Sequence, residues 1–325
     1  RIQGFKGRLT TCTRPSTIIR CGSIDQPLAG KFLMAWPKPE WRICNKEFST
    51  ILRFRYGLPV LPPTPLLACK CSTATNRIIV DKYGDHLLCC IHGGERIARH
   101  NQLVWNFRWL AKHAGIKSSS TYRNIHNPDG AGSKHQVDYA LLQPNFAPDD
   151  GGCTYFYDVA VLHPTALSYQ MGNLTDPRHH LIHHSNKKIN KHRPNAEAQG
   201  KRFEPLVFYS YGVATDEVHK LISQLAARYA EKQNCHMSVA LSYVSTCINI
   251  TLLRGSARII LERYRSLQQA TSIPAALVNP QPVVLDFPDD ASSIADPDEF
   301  ILIPSQDSVV PSQFSLLPDL SPVGR

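Results

Sequence analysis

The chain has 325 residues, of which 42% are hydrophobic and 19% charged, enough for a sizeable core and about two domains. Its net charge of +10 is uneven: residues 271–325 hold eight acidic side chains and one basic, which leaves 35 basic against 18 acidic residues, or +17, over residues 1–270. That excess points to a polyanionic partner and favours nucleic acid over a membrane. The ten clustered cysteines argue against a disulfide scaffold, and no run reaches the ~18 apolar residues of a bilayer span.

The opening Arg1–Lys6 is not followed by an apolar region, so no signal peptide is expected, and without an initiator Met a piece of a longer polypeptide is expected. Residues 1–60 read as a helical lead-in from an upstream domain. A helix is expected near Leu28–Ala35, and an amphipathic one over Cys44–Tyr56, carried by Phe48, Ile51, Leu52 and Phe54. Gly57-Leu58-Pro59 stops it, and Pro62–Pro65 makes a stiff linker.

Residues 66–94 form a Cys/His segment. Cys69, Cys71, His86 and Cys90 make a candidate tetrahedral zinc site, because thiolates and imidazole suit zinc and a closed four-ligand set is structural. His86 and Cys90 stand at i, i+4 on one face of a helical turn. Cys89 is the alternative fourth ligand, His92 is a competitor, and free buried cysteines beside a surface histidine are the plainer reading.

Residues 95–270 are expected to form the main domain, followed by a disordered acidic, Pro/Ser-rich tail over 271–325. A helix is predicted over Arg96–His113, with Gly115 as its C-terminal cap and Trp105 and Trp109 in the core. Arg96, Arg99 and His100 begin that helix and are candidate DNA-binding residues, while Glu95 is a candidate extra acid. Residues 117–134 read mostly as loop.

Two apolar segments follow, each carrying one aspartate: Gln136–Leu142 holds Asp138, and Tyr155–Leu162 holds Asp158. Their β-branched and aromatic residues predict strands joined by a turn-rich stretch of hairpin length. A strand aspartate is expensive to bury unless a cation or hydrogen bonds compensate it. Two such acids on successive strands are candidate magnesium ligands, with turn capping or arginine pairing as the plainer alternative.

Residues 176–195 are very basic and predicted helical between Pro177 and Pro194. They supply Lys187, Lys188 and Lys191, and His179, His180, His183 and His184 read as a solvated, phosphate-contacting face. Lys187 is a further candidate DNA contact. A strand is predicted over Phe203–Ser210, then helices over 214–232 and 238–266. The element order implies an α/β domain, a mixed sheet flanked by helices and preceded by a small zinc-binding loop.

Several short motifs occur in a telling order: Arg53–Pro59, Cys69-x-Cys71, Asp85–Cys90, Gly93–Asn101, Val137-Asp138, Asp158–Val161 with His163-Pro164, Lys188–His192 and Phe203–Val207. Over roughly residues 45–265 the chain resembles the restriction-like endonuclease domain, of the PD-(D/E)XK superfamily, at the C-terminus of site-specific non-LTR retrotransposon proteins. The resemblance implies a restriction-endonuclease-like fold and a magnesium-dependent DNA endonuclease with Asp138 and Asp158 as metal ligands. It also implies a nuclear protein that nicks target DNA to prime reverse transcription. The implied partners are DNA, an RNA template and a reverse transcriptase domain upstream in the same polypeptide. It favours Cys90 over Cys89.

Two departures from the family pattern stand out. Val137 takes the place of a proline, and Ala160 takes the place of the lysine two residues after the second acid. In this group the lysine comes from a downstream helix, which maps here to Lys188 and Lys191, with His192 in the aromatic position. If neither lysine reaches the acids, the alternative is a catalytically decayed, zinc-stabilised nucleic-acid-binding module. A structural or protein-interaction domain is the third reading. No Tyr-x-Asp-Asp is present, so reverse transcription is not expected of this segment.

Overall fold

The computed structural model describes residues 14–35, 38–62, 67–73, 75–119, 122–125, 135–141 and 154–272. The expected linker beyond Pro62, the first thirteen residues and the acidic tail beyond Ser272 lie outside the described residues. The chain is a mixed α/β protein, mostly helical around a small sheet.

Helix α1 (Pro15–Ile24) leads through 3-10 turns at Lys31–Met34 and Pro39–Trp41 to α2 (Asn45–Arg55). The Cys/His segment follows and ends in the short α3 (Asp85–Cys89). Then come α4 (Glu95–His113), β1 (Ser118–Ser119), β2 (Tyr122–Ile125), β3 (His135–Val137), β4 (Tyr139–Leu141) and β5 (Tyr155–Leu162). After a 3-10 turn at Leu167–Tyr169 the order is α5 (Gln170–Thr175), α6 (His179–Glu197), β6 (Arg202–Tyr209), α7 (Asp216–Gln233) and α8 (Met237–Ser272).

The main sheet has strand order β1-β4-β5-β6, and among the described residues β2 pairs with β3. β4 runs antiparallel to β5, as a hairpin would, while β5 and β6 are parallel from Tyr155↔Arg202 to Leu162↔Tyr209. Parallel neighbours need a crossover, and α6 lies in it.

Side-chain alternation assigns the two faces. Tyr155, Tyr157 and Val159 of β5 and Leu206 and Phe208 of β6 join a core with Leu103 and Phe107 of α4, Leu221 of α7 and Val244 of α8. Leu162, Val207 and Tyr209 face the other way and pack with Leu181 of α6. Both faces are covered, which a parallel pair of strands requires.

Helix α8 organises the molecule. Its 36 residues give a rod about 54 Å long. Its first half lines the sheet core, and its second half (Leu253, Ala257, Ile260, Leu267) lines a second core with Ile51 and Phe54 of α2 and Leu87 and Leu88 of α3. The lead-in helix, the Cys/His segment and the sheet therefore pack along one element. By length and composition α8 could cross a membrane, but 78% of its most apolar window is buried inside the protein. It also carries the buried polar side chains Asn249, Ser256 and Arg263.

Several expectations need correction. The predicted Gln136–Leu142 strand is broken by a bend at Asp138 into β3 and β4, and each part pairs with a different strand. The loop predicted over 117–134 contains β1 and β2. The predicted Leu28–Ala35 helix is only a 3-10 turn, while α1 before it was not singled out. Trp105 is 52% exposed rather than in the core. Gly115 does follow α4 with φ +77°, and the Ile116 N–H donates back to the Ala111 carbonyl.

One buried network joins the N-terminal helix to the Cys/His segment and the sheet. Arg20 of α1, 2% exposed, donates to both carboxylate oxygens of Asp85 at 2.9 and 3.0 Å and to the Tyr211 hydroxyl at 2.8 Å. His163, just past β5, lies 3.0 Å from Asp85 Oδ1 through Nε2 and 2.6 Å from Ser210 Oγ through Nδ1. Burial alone would raise the Asp85 carboxyl, but His163 and Arg20 hold it down at about 2.

Breaking a buried pair on one side leaves a charge uncompensated. Arg20→Met is expected to destabilise the protein by about 3–5 kcal/mol in urea unfolding. Arg20→Met combined with Asp85→Asn is expected to cost clearly less than the sum of the single changes. Additivity within about 0.5 kcal/mol would show that the pair is not coupled.

Candidate functional site: a carboxylate pair and a Cys3His cluster

The register β4–β5 pairs Tyr139 with Tyr157. Asp138 sits in the bend just before Tyr139, and its backbone N–H donates to the Tyr157 carbonyl at 3.0 Å. The Asp158 carboxylate, on the next residue of β5, is close enough to raise the Asp138 carboxyl. The Val159 N–H also donates to Asp138 Oδ2.

Three helical side chains surround the pair. His100 of α4 lies 3.0 Å from Asp138 Oδ2 through Nε2, and Lys188 of α6 donates to Asp158 Oδ2 at 2.8 Å. His192, one turn beyond Lys188, is buried and lowers the Asp158 carboxyl together with Lys188 and His100. Because α4 and α6 cover opposite faces of the sheet, the acids are bracketed from both sides.

The electrostatics differ between the two acids. Burial raises the Asp138 carboxyl and Asp158 raises it further, against the opposing pull of His100 and the Val159 N–H. Burial also acts to raise Asp158, but Lys188 above all overcomes it, and the carboxyl lies below its usual range. For His100, burial opposes protonation, yet Asp138 chiefly, with Asn101 and Asp158, pushes it up to about 9. Two adjacent carboxylates in a shielded site fit a divalent cation, which would relieve the repulsion that raises Asp138.

The expected site residues divide clearly. Asp138, Asp158 and Lys188 come together. Lys187 and Lys191 are exposed on α6, and Lys188 donates to Asp158.

Of the residues at the start of α4 expected to bind DNA, Arg99 is corrected by its burial. Arg99 is 3% exposed, bonds Ser256 Oγ at 3.1 Å and is lowered to about 9 by burial and by Arg96 and Arg263. Its stem lies against Gly255, where a Cβ would come within 2.6 Å of Arg99 Cγ. Arg96 is half-buried and donates to the Cys89 carbonyl at 3.1 Å. His100 faces the acids rather than an open groove. Glu95 is engaged by Arg263 at 2.9 Å and is not part of the acid pair.

The Cys/His segment brings its four expected ligands together. The Sγ atoms of Cys69, Cys71 and Cys90 and a His86 ring nitrogen all lie within 4.8 Å of one another. Cys69 Sγ and Cys90 Sγ are 3.6 Å apart, and Cys71 Sγ and His86 Nε2 are 3.3 Å apart. Ligands on a tetrahedral zinc at ordinary bond lengths stand about 3.4–3.8 Å apart, so the cluster can hold such a metal. Cys89 lies outside this group, and burial pushes its thiol up to about 12.

Local structure presents these ligands. Cys69 and Cys71 sit on a tight turn closed by the Ser72 N–H donating to the Cys69 carbonyl at 3.0 Å, next to a bridge between Ala68 and Ile79. Asp81 caps α3, accepting from the Asp85 and His86 N–H groups at 3.1 and 2.7 Å. Gly84 turns the chain into α3 with φ +77°, where a Cβ would press on Val60 and Ile260. At the other end, Arg263 of α8 donates to the Leu87 and Cys90 carbonyls, each at 2.7 Å.

No family model matches the chain, and no curated protein is significantly similar to it.

The cluster predicts one zinc per chain. Cys69→Ser, or removal of the metal by a chelator, is expected to cost about 3 kcal/mol, a fall in Tm of about 6–12 °C. Cys89→Ser is expected to leave both zinc content and Tm unchanged. Elemental analysis with thermal melting checks both, and full zinc content in Cys69→Ser would dismiss the assignment.

Proposed function

We propose that this chain is a restriction-like, metal-dependent DNA endonuclease domain of a retrotransposon protein, which nicks target DNA to prime reverse transcription. The observation that carries the reading is the closeness of the Asp138 and Asp158 carboxylates while Lys188 donates to Asp158 from α6 at 2.8 Å. Ala160, which stands where a lysine was expected, argues for a decayed site. The Lys188 contact supports an active one, because it supplies the missing amine from a different element.

Asp138 and Asp158 would hold magnesium, and the bound ion supplies charge neutralisation at the phosphate and a more acidic water. Lys188 holds an ammonium beside the same carboxylates, where it can stabilise charge on the pentavalent phosphate. Val159 fixes Asp138 through its backbone N–H, so the acid is oriented before substrate arrives. The exposed Lys187 and Lys191 on α6 offer sequence-independent phosphate contacts next to the site. Burial of the acids between α4 and α6 limits competing water.

The Cys3His segment serves as a structural zinc staple. Its apolar residues Leu67, Val80, Leu87 and Leu88 join the second core, and it is tied to α8 by Arg263 and to the sheet by Asp85 and His163. DNA, an RNA template and an upstream reverse transcriptase domain are the proposed partners, in the nucleus. The net +17 over residues 1–270 favours a polyanion.

Supercoiled-plasmid nicking with a divalent cation tests the reading. The wild-type chain is expected to nick. Asp138→Ala, Asp158→Ala and Lys188→Ala are each expected to lose about a hundredfold or more in rate. Lys191→Ala is expected to stay within about tenfold of wild type. Salt-sensitive DNA retardation without any metal-dependent nicking would favour the decayed binding module, and no retardation at low salt would favour a protein-interaction domain.

A further inference from the structure

The acid pair has a third neighbour of a different chemical kind. His100 Nε2 lies 3.0 Å from Asp138 Oδ2, while its Nδ1 lies 3.1 Å from Asn101 Oδ1. An amide oxygen only accepts, so Nδ1 carries a proton and donates it. With Nδ1 so committed, a neutral imidazole keeps its lone pair on Nε2, the nitrogen turned toward the acids. Hydrogen bonding of the remote ring nitrogen is how proteins orient a metal-binding histidine.

The spacing is also that of two ligands on one ion. Neighbouring ligands in an octahedron with bonds of about 2.1 Å stand about 3 Å apart, and the Nε2–Oδ2 distance is 3.0 Å. The backbone that carries His100 is firmly placed, because Arg99 beside it is buried between Gly255 and Ser256 of α8. The His100 side chain is itself only 14% exposed.

We propose that His100 is a third protein ligand to the cation held by Asp138 and Asp158, and that this mixed nitrogen–oxygen set favours manganese over magnesium. The proposal rests on the metal-site reading above and deepens it. Magnesium prefers all-oxygen shells rich in water, whereas imidazole suits first-row transition metals. Lys188 stays hydrogen-bonded to Asp158 Oδ2.

The test uses the full chain with its zinc site loaded. Manganese and magnesium are titrated separately by calorimetry, and pulsed EPR of the manganese-loaded protein reads nitrogen-14 coupling from a directly bound imidazole. Wild type is expected to bind manganese about tenfold or more tighter than magnesium and to show the coupling. His100→Gln, which places an amide oxygen near the Nε2 position, is expected to lose the coupling and to narrow the manganese preference about tenfold. Asn101→Ala, at an exposed position, is expected to weaken manganese more than magnesium.

Manganese bound without nitrogen coupling in wild type, or coupling that survives in His100→Gln, overturns the proposal while leaving the acid-pair reading intact. If neither cation binds, or if binding persists in Asp138→Asn combined with Asp158→Asn, the cation site itself is wrong and both readings fall.

Discussion

Two carboxylates brought close together and shielded from water must be neutralised or one must take up a proton. At a separation of about 5 Å, two unit charges repel by about 3 kcal/mol at an effective dielectric of about 20. The fold meets this demand from both sides of the sheet. α4 brings His100, and α6 brings Lys188 and, one turn on, His192. The sheet needs only four strands, because its task is to hold β4 and β5 in one register and to position β6 beneath α6.

Registration of the helices is a longer-range matter, and α8 handles it. α4 lies along α8 through Arg99 on Gly255 and Ser256, and the α3 end hangs from Arg263 farther down the same rod. The position of His100 is therefore tied to that of the Cys3His cluster through a single rigid element. The Arg20–Asp85–His163 network adds a second tie, from the N-terminal helix through α3 to the end of β5. The Cys/His segment is held by these charged ties together with the second core, to which Leu67, Val80, Leu87 and Leu88 contribute.

Parts of this were legible in the sequence because their chemistry is local. Cys69, Cys71, His86 and Cys90 could be grouped from spacing, since few residue types bind zinc and helical periodicity places His86 above Cys90. Asp138 and Asp158 stood out as acids within apolar, β-branched runs. What remained hidden depended on partners far along the chain. Arg99 carries a charge, and charged residues are rarely buried, so it read as a surface group. It is inside because Gly255 and Ser256, more than 150 positions on, leave room for its stem. α1 contains Ser, Thr, Gly and β-branched Ile, poor helix formers held helical by a Pro at its first turn and by tertiary packing. The bend at Asp138 was invisible for the same reason: β3 and β4 diverge because each has a different partner.

The two polar clusters at β5 show why one is a candidate site and the other is not. At the C-terminal end, Ser210, His163 and Asp85 lie in a chain that looks like a nucleophile, a base and an orienting acid. Ser210 is fully buried, however, and His163 Nε2 is shared between Asp85 and the Thr165 hydroxyl at 2.8 Å. Every acceptor on Asp85 is met by Arg20 or His163, so this cluster is closed and nothing in it awaits a ligand. At Asp158 the charges balance differently. Among the described residues, the two acids are met by Lys188 and His100. The first cluster is closed by its own hydrogen bonds, whereas the second leaves two carboxylates close enough to repel, and that difference separates the two ends of one strand.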